Sequence, residues 1–196
     1  GSVLRVTSLR AGNQGDNALY QEVFSPSSLS SISTLSFASQ PRVWTGIGLA
    51  QHGTAANIAR LFWIRASDNT MWYRDYTGGS GFGSVFAYSG SPRFNLDGVS
   101  IAPITHDEGF VIAYSPTTYA VTLHRFNSGS WTSAVMPMRY KQHALNCHWF
   151  DAVALNATER LITFCVNGVQ YATIYDANGF RDPWPVIAFT AEYGGT

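Results

Sequence analysis

Charge is what this sequence has least of. Only 12% of its 196 residues are Asp, Glu, Lys or Arg, against about 25% in an ordinary globular domain. Twelve acidic and twelve basic side chains cancel, and neither sign gathers into a run. That excludes the basic stripe which phosphate-backbone binding requires, so nucleic acid is not an expected partner. Lysine is almost missing, with Lys141 standing alone beside eleven arginines. Cysteine is scarce too. Cys147 and Cys165 are too few for a disulfide framework and form no C-x-x-C pair, and they read either as one cross-strand disulfide or as two buried thiols. No apolar run reaches the ~18 residues of a membrane helix and no charged-then-apolar leader opens the chain, so membrane insertion is not expected. Gly1-Ser2 reads as a cleavage scar, so the natural terminus, and any leader, is expected to have been removed.

What fills the chain instead is hydroxyl, amide, glycine and ring. Aromatic residues make up 14% and glycines number 18. Few ions and many hydroxyls lean toward an extracellular or cell-surface protein, and Asn156-Ala157-Thr158 forms an N-glycosylation sequon. The length suits one domain with a real core, taken as residues 1–196.

That domain is repetitive. Aromatics follow Gly/Ser turns at Gly81-Phe82, Ser130-Trp131 and Gly179-Phe180, at a spacing of 49 residues taken twice. Before each turn runs a strand-like segment: Thr70 to Tyr76, Ala120 to Phe126, Val169 to Tyr175. Before that comes another: Leu61 to Arg65, Phe110 to Tyr114, Leu161 to Val166. Earlier still lies a segment with small residues at alternate positions, T-G-I-G-L-A from Thr45, D-G-V-S-I-A from Asp97 and D-A-V-A-L-N from Asp151. A fourth segment follows each aromatic, as in Ser84 to Tyr88 and Thr132 to Met136. The N-terminus holds a looser copy in Val3 to Leu9, Ala18 to Phe24 and Ile32 to Phe37, lacking the small-residue strand. Segments this short, β-branched and aromatic, bounded by Gly, Asn, Ser and Pro, are strands, and no stretch of ten residues keeps a 3.6-residue period.

Four short strands in about 40–50 residues are the signature of a β-propeller blade. The expectation is therefore an all-β, propeller-like domain of about four blades of four antiparallel strands, one incomplete, with repeats near residues 3–40, 41–90, 91–138 and 139–190. A β-sandwich is the alternative, but it gives no reason for the interval. In a propeller the small residues Gly46, Gly48, Gly98, Ser100, Ala152 and Ala154 would face the crowded axis. Ile47, Leu49, Val99, Ile101, Val153 and Leu155 would then point between blades. Val186 to Tyr193 would supply the strand missing from the first blade and leave no open edge. Otherwise a second copy or a larger parent protein completes the ring.

Ala59 to Phe82, A-R-L-F-W-I-R-A-S-D-N-T-M-W-Y-R-D-Y-T-G-G-S-G-F, resembles a blade of the fungal fucose-binding lectins and their two-blade bacterial relatives. Those blades read Arg, apolar strand, D-N-T-I/L turn, then an aromatic strand ending in Gly-Trp. The resemblance implies a carbohydrate-binding module for fucosylated or other neutral glycans, with glycans or glycoproteins as partners and sites between blades. There an Arg opening the second strand and a Glu on the third bind the sugar's oxygens while an aromatic stacks on its C–H face. By position the Arg corresponds to Arg5, Arg60 and Arg160, with Gly109 in the third unit. The stacking ring corresponds to Phe82, Trp131 and Phe180. The Glu position is filled by Gln21 or Glu22 in the first unit and by Tyr73 in the second, and the other units have no acid there. If Arg60 opens a working site, it should project into a cleft between blades with Trp131 as its wall. The structural alternative is that these arginines are locally paired and the rings plug blade interfaces, leaving a protein-interaction scaffold or assembly propeller.

Catalytic residues, metals and cofactors are not expected. The chain has no G-x-S-x-G, H-E-x-x-H, phosphate loop or Asp-box. His143, Cys147 and His148 would share one strand, where residues four apart stand ~13 Å apart, too far to close one coordination sphere. His52 and His106 fall at matching hairpins. Asp97 and Asp151, which precede matching inner strands, are the one acid pair that could meet across an axis for glycan processing.

Overall fold

The computed structural model describes residues 4–11, 17–24, 31–37, 47–51, 58–65, 67–77, 81–95, 98–115, 117–139, 150–166 and 169–188. Before residue 59 the description is of backbone and strand pairing. The described structure is all-β, as the missing helical period predicts. Its strands are β1 (Leu4–Ala11), β2 (Asn17–Phe24), β3 (Ser31–Phe37), β4 (Ile47–Gln51), β5 (Ile58–Arg65), β6 (Thr70–Thr77), β7 (Gly81–Ala87), β8 (Val99–Pro103), β9 (Glu108–Tyr114), β10 (Ala120–Asn127), β11 (Ser130–Arg139), β12 (Phe150–Ala154), β13 (Arg160–Val166), β14 (Val169–Asp176), β15 (Gly179–Phe180) and β16 (Trp184–Ala188). They form four antiparallel sheets. Three are simple meanders, β1-β2-β3, β4-β5-β6-β7 and β8-β9-β10-β11, and the fourth is β12-β13-β14 with both β15 and β16 on the outer side of β14.

Turn chemistry sets the registers. At the β5–β6 hairpin Asn69 takes a left-handed backbone with φ 60°, a conformation its short polar side chain tolerates. The Asp68 carboxylate accepts from the Thr70 amide at 3.2 Å and the Trp72 indole at 3.2 Å, and it pairs with Arg65. Arg65 also lies 3.5 Å over the Trp72 ring. These bonds hold Asp68 far below the usual carboxylate range, the Arg65 bond above all. The β10–β11 turn has positive φ at Ser128 (48°) and Gly129 (81°), the two-residue turn whose twist matches that of paired strands.

Alternation then sorts the faces. Phe62, Ile64 and Met71 of the second sheet pack on Val99, Ile101, Val111 and Phe126 of the third, joined by Tyr88 and Phe94. On its other face the third sheet presents Phe110, Ile112, Tyr114, Val121 and Leu123 to Ala152, Ile162, Phe164 and Val166 of the fourth. The opening strands lie side by side, β4 beside β8 and β8 beside β12.

The structure corrects two expectations. Val99 and Ile101 are buried as anticipated, but Val153 and Leu155 are each 52% exposed while Ala152 packs in the core. The reason is register. The β8–β9 and β12–β13 hairpins superpose through Ile104 N–H to Glu108 O and Leu155 N–H to Glu159 O, which aligns Ala152 with Ile101. The sequence match D-A-V-A-L-N is thus three residues out of step, and an odd shift exchanges the faces. The second correction concerns the end of the chain. Trp184–Ala188 pairs with β14, so Val186 to Ala188 complete the fourth sheet and not the first, and Phe189 to Tyr193 lie outside the described residues. The outer strand of this sheet breaks between β15 and β16, where Pro183 has no N–H to offer a ladder.

Candidate functional site

One cross-strand position recurs in all four sheets and receives a different pair in each. It is Arg5 opposite Val23, Arg60 opposite Asp75, Gly109 opposite Phe126, and Arg160 opposite Tyr175. Only the second sheet sets an acid against the arginine. In the third sheet a Cβ on Gly109 would stand 2.5 Å from the Phe126 ring and 2.6 Å from the Pro103 Cα. The Phe126 ring therefore takes the space that the arginine fills elsewhere.

Arg60 bonds to groups of both the second and the third sheet. Its Nε and Nη2 donate to the two Asp75 oxygens at 2.7 and 3.0 Å. Nη1 crosses to the third sheet and donates to Asp107 Oδ1 at 2.9 Å and the His106 carbonyl at 3.0 Å. The guanidinium also lies 4.0 Å over the Tyr73 ring. Burial opposes the Arg60 charge, but the bonds to Asp75 and the field of Asp107 outweigh it and raise the pKa above its ordinary value. The exposures of the three partners differ. The Arg60 side chain is 10% exposed, whereas Asp75 is 31% and Asp107 41% exposed. The arginine is thus covered, and the two carboxylates that it holds together face solvent. Asp107 Oδ2 also lies 2.9 Å from His106 Nε2. Beside them Phe86, 50% exposed on the edge strand β7, stacks on Tyr73 with 5.6 Å between ring centroids.

Arg160 makes the corresponding crossing between the fourth and third sheets, with a different result. Nε and Nη2 bond the two Glu108 oxygens, each at 3.1 Å, and Nη1 bonds the Asn156 and Glu159 carbonyls. Glu108 receives Arg125 as well, at 2.8 Å. Burial disfavours the Glu108 charge, yet bonds from Arg160 and Arg125 more than offset that and keep its pKa below the ordinary value. With the acid only 12% exposed, this is a clamp between sheets. Of the arginines matched to the family position, Arg60 has exposed acid partners, Arg160 is enclosed, and the Arg5 side chain lies outside the described residues.

The anticipated ring wall is elsewhere. Trp131 packs against Tyr88, Phe94 and Phe126, and its indole donates to the Ser89 carbonyl at 2.9 Å. It closes the aromatic core, and the ring on Arg60 is Tyr73. Phe180 packs on Tyr175 and Phe110 at 4.8 and 5.9 Å, between the fourth and third sheets. Phe82 pairs with Tyr76 on the backbone, and its ring lies outside the described residues. So does the side chain of Glu22, whose register partner is Val6 while that of Arg5 is Val23. The two positions therefore fall on opposite faces. Gln21 occupies the position that Tyr73 holds in the second sheet.

Asp75 and Asp107 escaped the reading of the sequence, which put the acid position of this unit at Tyr73. The signal for Asp75 was present: the Asp68-Asn69 turn pairs Arg65 with Thr70 and so carries Arg60 to Asp75. Asp107 comes from another sheet, and no local pattern announces it. Asp151 is exposed and caps the Ala152 amide at 2.8 Å. Asp97, the other half of the acid pair, lies outside the described residues, as do His52, His143, Cys147 and His148. Among the described residues no three of His, Cys, Asp and Glu come together to hold a metal. The chain matches no family model and no curated protein.

Proposed function

We propose that this chain is a carbohydrate-binding module with a propeller-like, four-bladed arrangement, and that its site for neutral glycans lies where the second and third sheets meet. The observation that carries the reading is the Arg60 group: one covered guanidinium holding two solvent-facing carboxylates from different sheets. Each carboxylate keeps lone pairs for a ligand, and a pair of adjacent sugar hydroxyls is the donor set that matches them. Phe86 offers an apolar face beside them for the sugar's C–H patch. Carboxylate oxygens only accept, so this group suits the hydroxyl donors of a neutral sugar. In this reading Arg60 positions the acids, and Asp75 and Asp107 touch the ligand. The successive meanders with adjacent opening strands support the propeller-like arrangement.

A second reading has its own support. The Arg160–Glu108–Arg125 group shows that this fold uses an inter-sheet arginine as a structural clamp, which suits a protein-interaction scaffold. Asp75→Asn separates the two. Removing the acid destabilises the chain in either case, so binding decides: if the site binds, fucose and related neutral sugars in a glycan array lose signal with this variant at a temperature where it is folded. If the group is a clamp alone, binding, where present, is unchanged in the folded variant.

A further inference from the structure

A second polar recess lies far from Arg60. Arg93, Phe94 and Asn95, which follow β7, fold over the face of the third sheet that looks toward the second and leave a cavity of about 200 Å³. Its floor is Ala113 and Thr122, directly paired on β9 and β10, with His124 next on the same face. Ser115 closes one end. The Glu108 to Tyr114 strand separates this recess from the Arg60 group, a distance of about 20 Å at ~3.4 Å per residue.

The lining has one positive charge and several neutral bonding groups. Arg93 is exposed, and among the described residues no carboxylate pairs with it. Thr122 offers a hydroxyl, and Ser115 Oγ, which accepts the Thr118 N–H at 3.3 Å, keeps its own O–H to donate. The His124 ring, which also lines the cavity, stands perpendicular to Phe94, 5.2 Å away. Burial holds the His124 imidazole well below its ordinary value, at about 4, so at neutral pH it brings a donor and an acceptor and no second charge. Phe94, buried and anchored by its amide to the Asn69 carbonyl at 2.7 Å, adds an apolar wall. At about 200 Å³ the space is smaller than the ~300–1,000 Å³ of drug-sized sites.

One guanidinium with no carboxylate partner among the described residues, neutral donors and acceptors, one aromatic wall and a small volume describe a ligand with one carboxylate, several hydroxyls and an apolar face. We propose that this cavity is a separate binding site for a single sugar ring bearing one carboxylate, of the uronate class. The site is independent of the Arg60 group, and it selects for a carboxylate.

The test is a titration of the isotopically labelled full chain with sodium D-glucuronate, followed by backbone amide chemical shifts, with D-glucose and acetate as comparison probes. Glucuronate should move the amides of residues 93–95, 113–115 and 122–124. Glucose, lacking the carboxylate, and acetate, lacking the hydroxyls, should each bind at least about tenfold more weakly. Arg93→Gln should weaken glucuronate binding about tenfold or more, the scale of one charge-assisted hydrogen bond. Thr122→Val, which keeps the floor filled, should weaken it severalfold and serves as the deciding variant if Arg93→Gln disturbs the spectrum as a whole. Asp75→Asn should leave glucuronate binding as it is, so a failure at the Arg60 group and a failure here are read separately. The proposal is overturned if glucuronate moves no amide around the cavity at tens of millimolar, if it moves those near Arg60 instead, or if neither cavity variant changes its affinity.

Discussion

Acid should loosen this protein through His124, and the size of the effect follows from where the ring sits. On β10, between Phe94 and the third sheet, burial holds the imidazole at about 4, against 6.5 in an unfolded chain. Between those two values the unfolded chain takes up a proton that the folded chain refuses. The contribution is therefore absent as a penalty above pH 6.5, grows as pH falls from 6.5 to 4, and levels off below. The gap of about 2.5 pH units at 1.36 kcal/mol per unit makes the full penalty about 3 kcal/mol. Asp68, Glu108 and Asp176 are all held below their ordinary values, so they too lose stabilisation in acid and raise the total slope. The difference between wild type and His124→Gln isolates the histidine. Urea midpoints for both at steps from pH 7.5 to pH 4 should diverge in slope, with the wild type losing about 3 kcal/mol more. Parallel pH profiles would refute the reasoning, as would an imidazole titrating near 6.5 in the folded protein.

Two further outcomes rest on the junctions. Glu108→Gln leaves Arg125 and Arg160 without their shared acid and should cost about 3–5 kcal/mol by urea denaturation, while replacing Glu108, Arg125 and Arg160 together with apolar residues of similar volume should recover a large part of it. Gly109→Ala drives a methyl into the Phe126 ring and the Pro103 backbone and should cost about 1–3 kcal/mol, or about 2–4 °C of melting temperature per kcal/mol, with Phe126→Leu relieving part of the loss.

The strands were legible because their pattern is local. Thr70 to Tyr76, Ala120 to Phe126 and Val169 to Tyr175 each alternate within a few residues and end in turns that name themselves, and β6, β10 and β14 stand there. The inner strands were legible as strands but not in phase. D-G-V-S-I-A and D-A-V-A-L-N look alike, yet the hairpins that follow them fix a three-residue offset, and a period of two then turns Val153 outward. The site was legible only in part. Arg60 stood out by its blade, and the hairpin register leads on to Asp75. Asp107 is 47 residues from Arg60 and reaches it only through packing of one sheet on the next. Trp131 misled because a tryptophan at a repeated position carries no record of which ring it will meet. Tyr88, which bonds the Asp107 carbonyl at 2.9 Å and meets both Phe126 and Trp131, closes the fourth segment of its repeat, where its local pattern names none of these partners from the next sheet.

The binding claim is tested most directly by titrating L-fucose into the labelled full chain and following the Arg60 Nε–H together with the backbone amides of residues 73–75, 86 and 106–107. The account predicts saturable shifts confined to that set, abolished in Asp75→Asn and in Phe86→Ala, with both variants still folded. A folded wild-type chain in which neither L-fucose nor other neutral monosaccharides move these signals at tens of millimolar, or in which they move a different region, would contradict it.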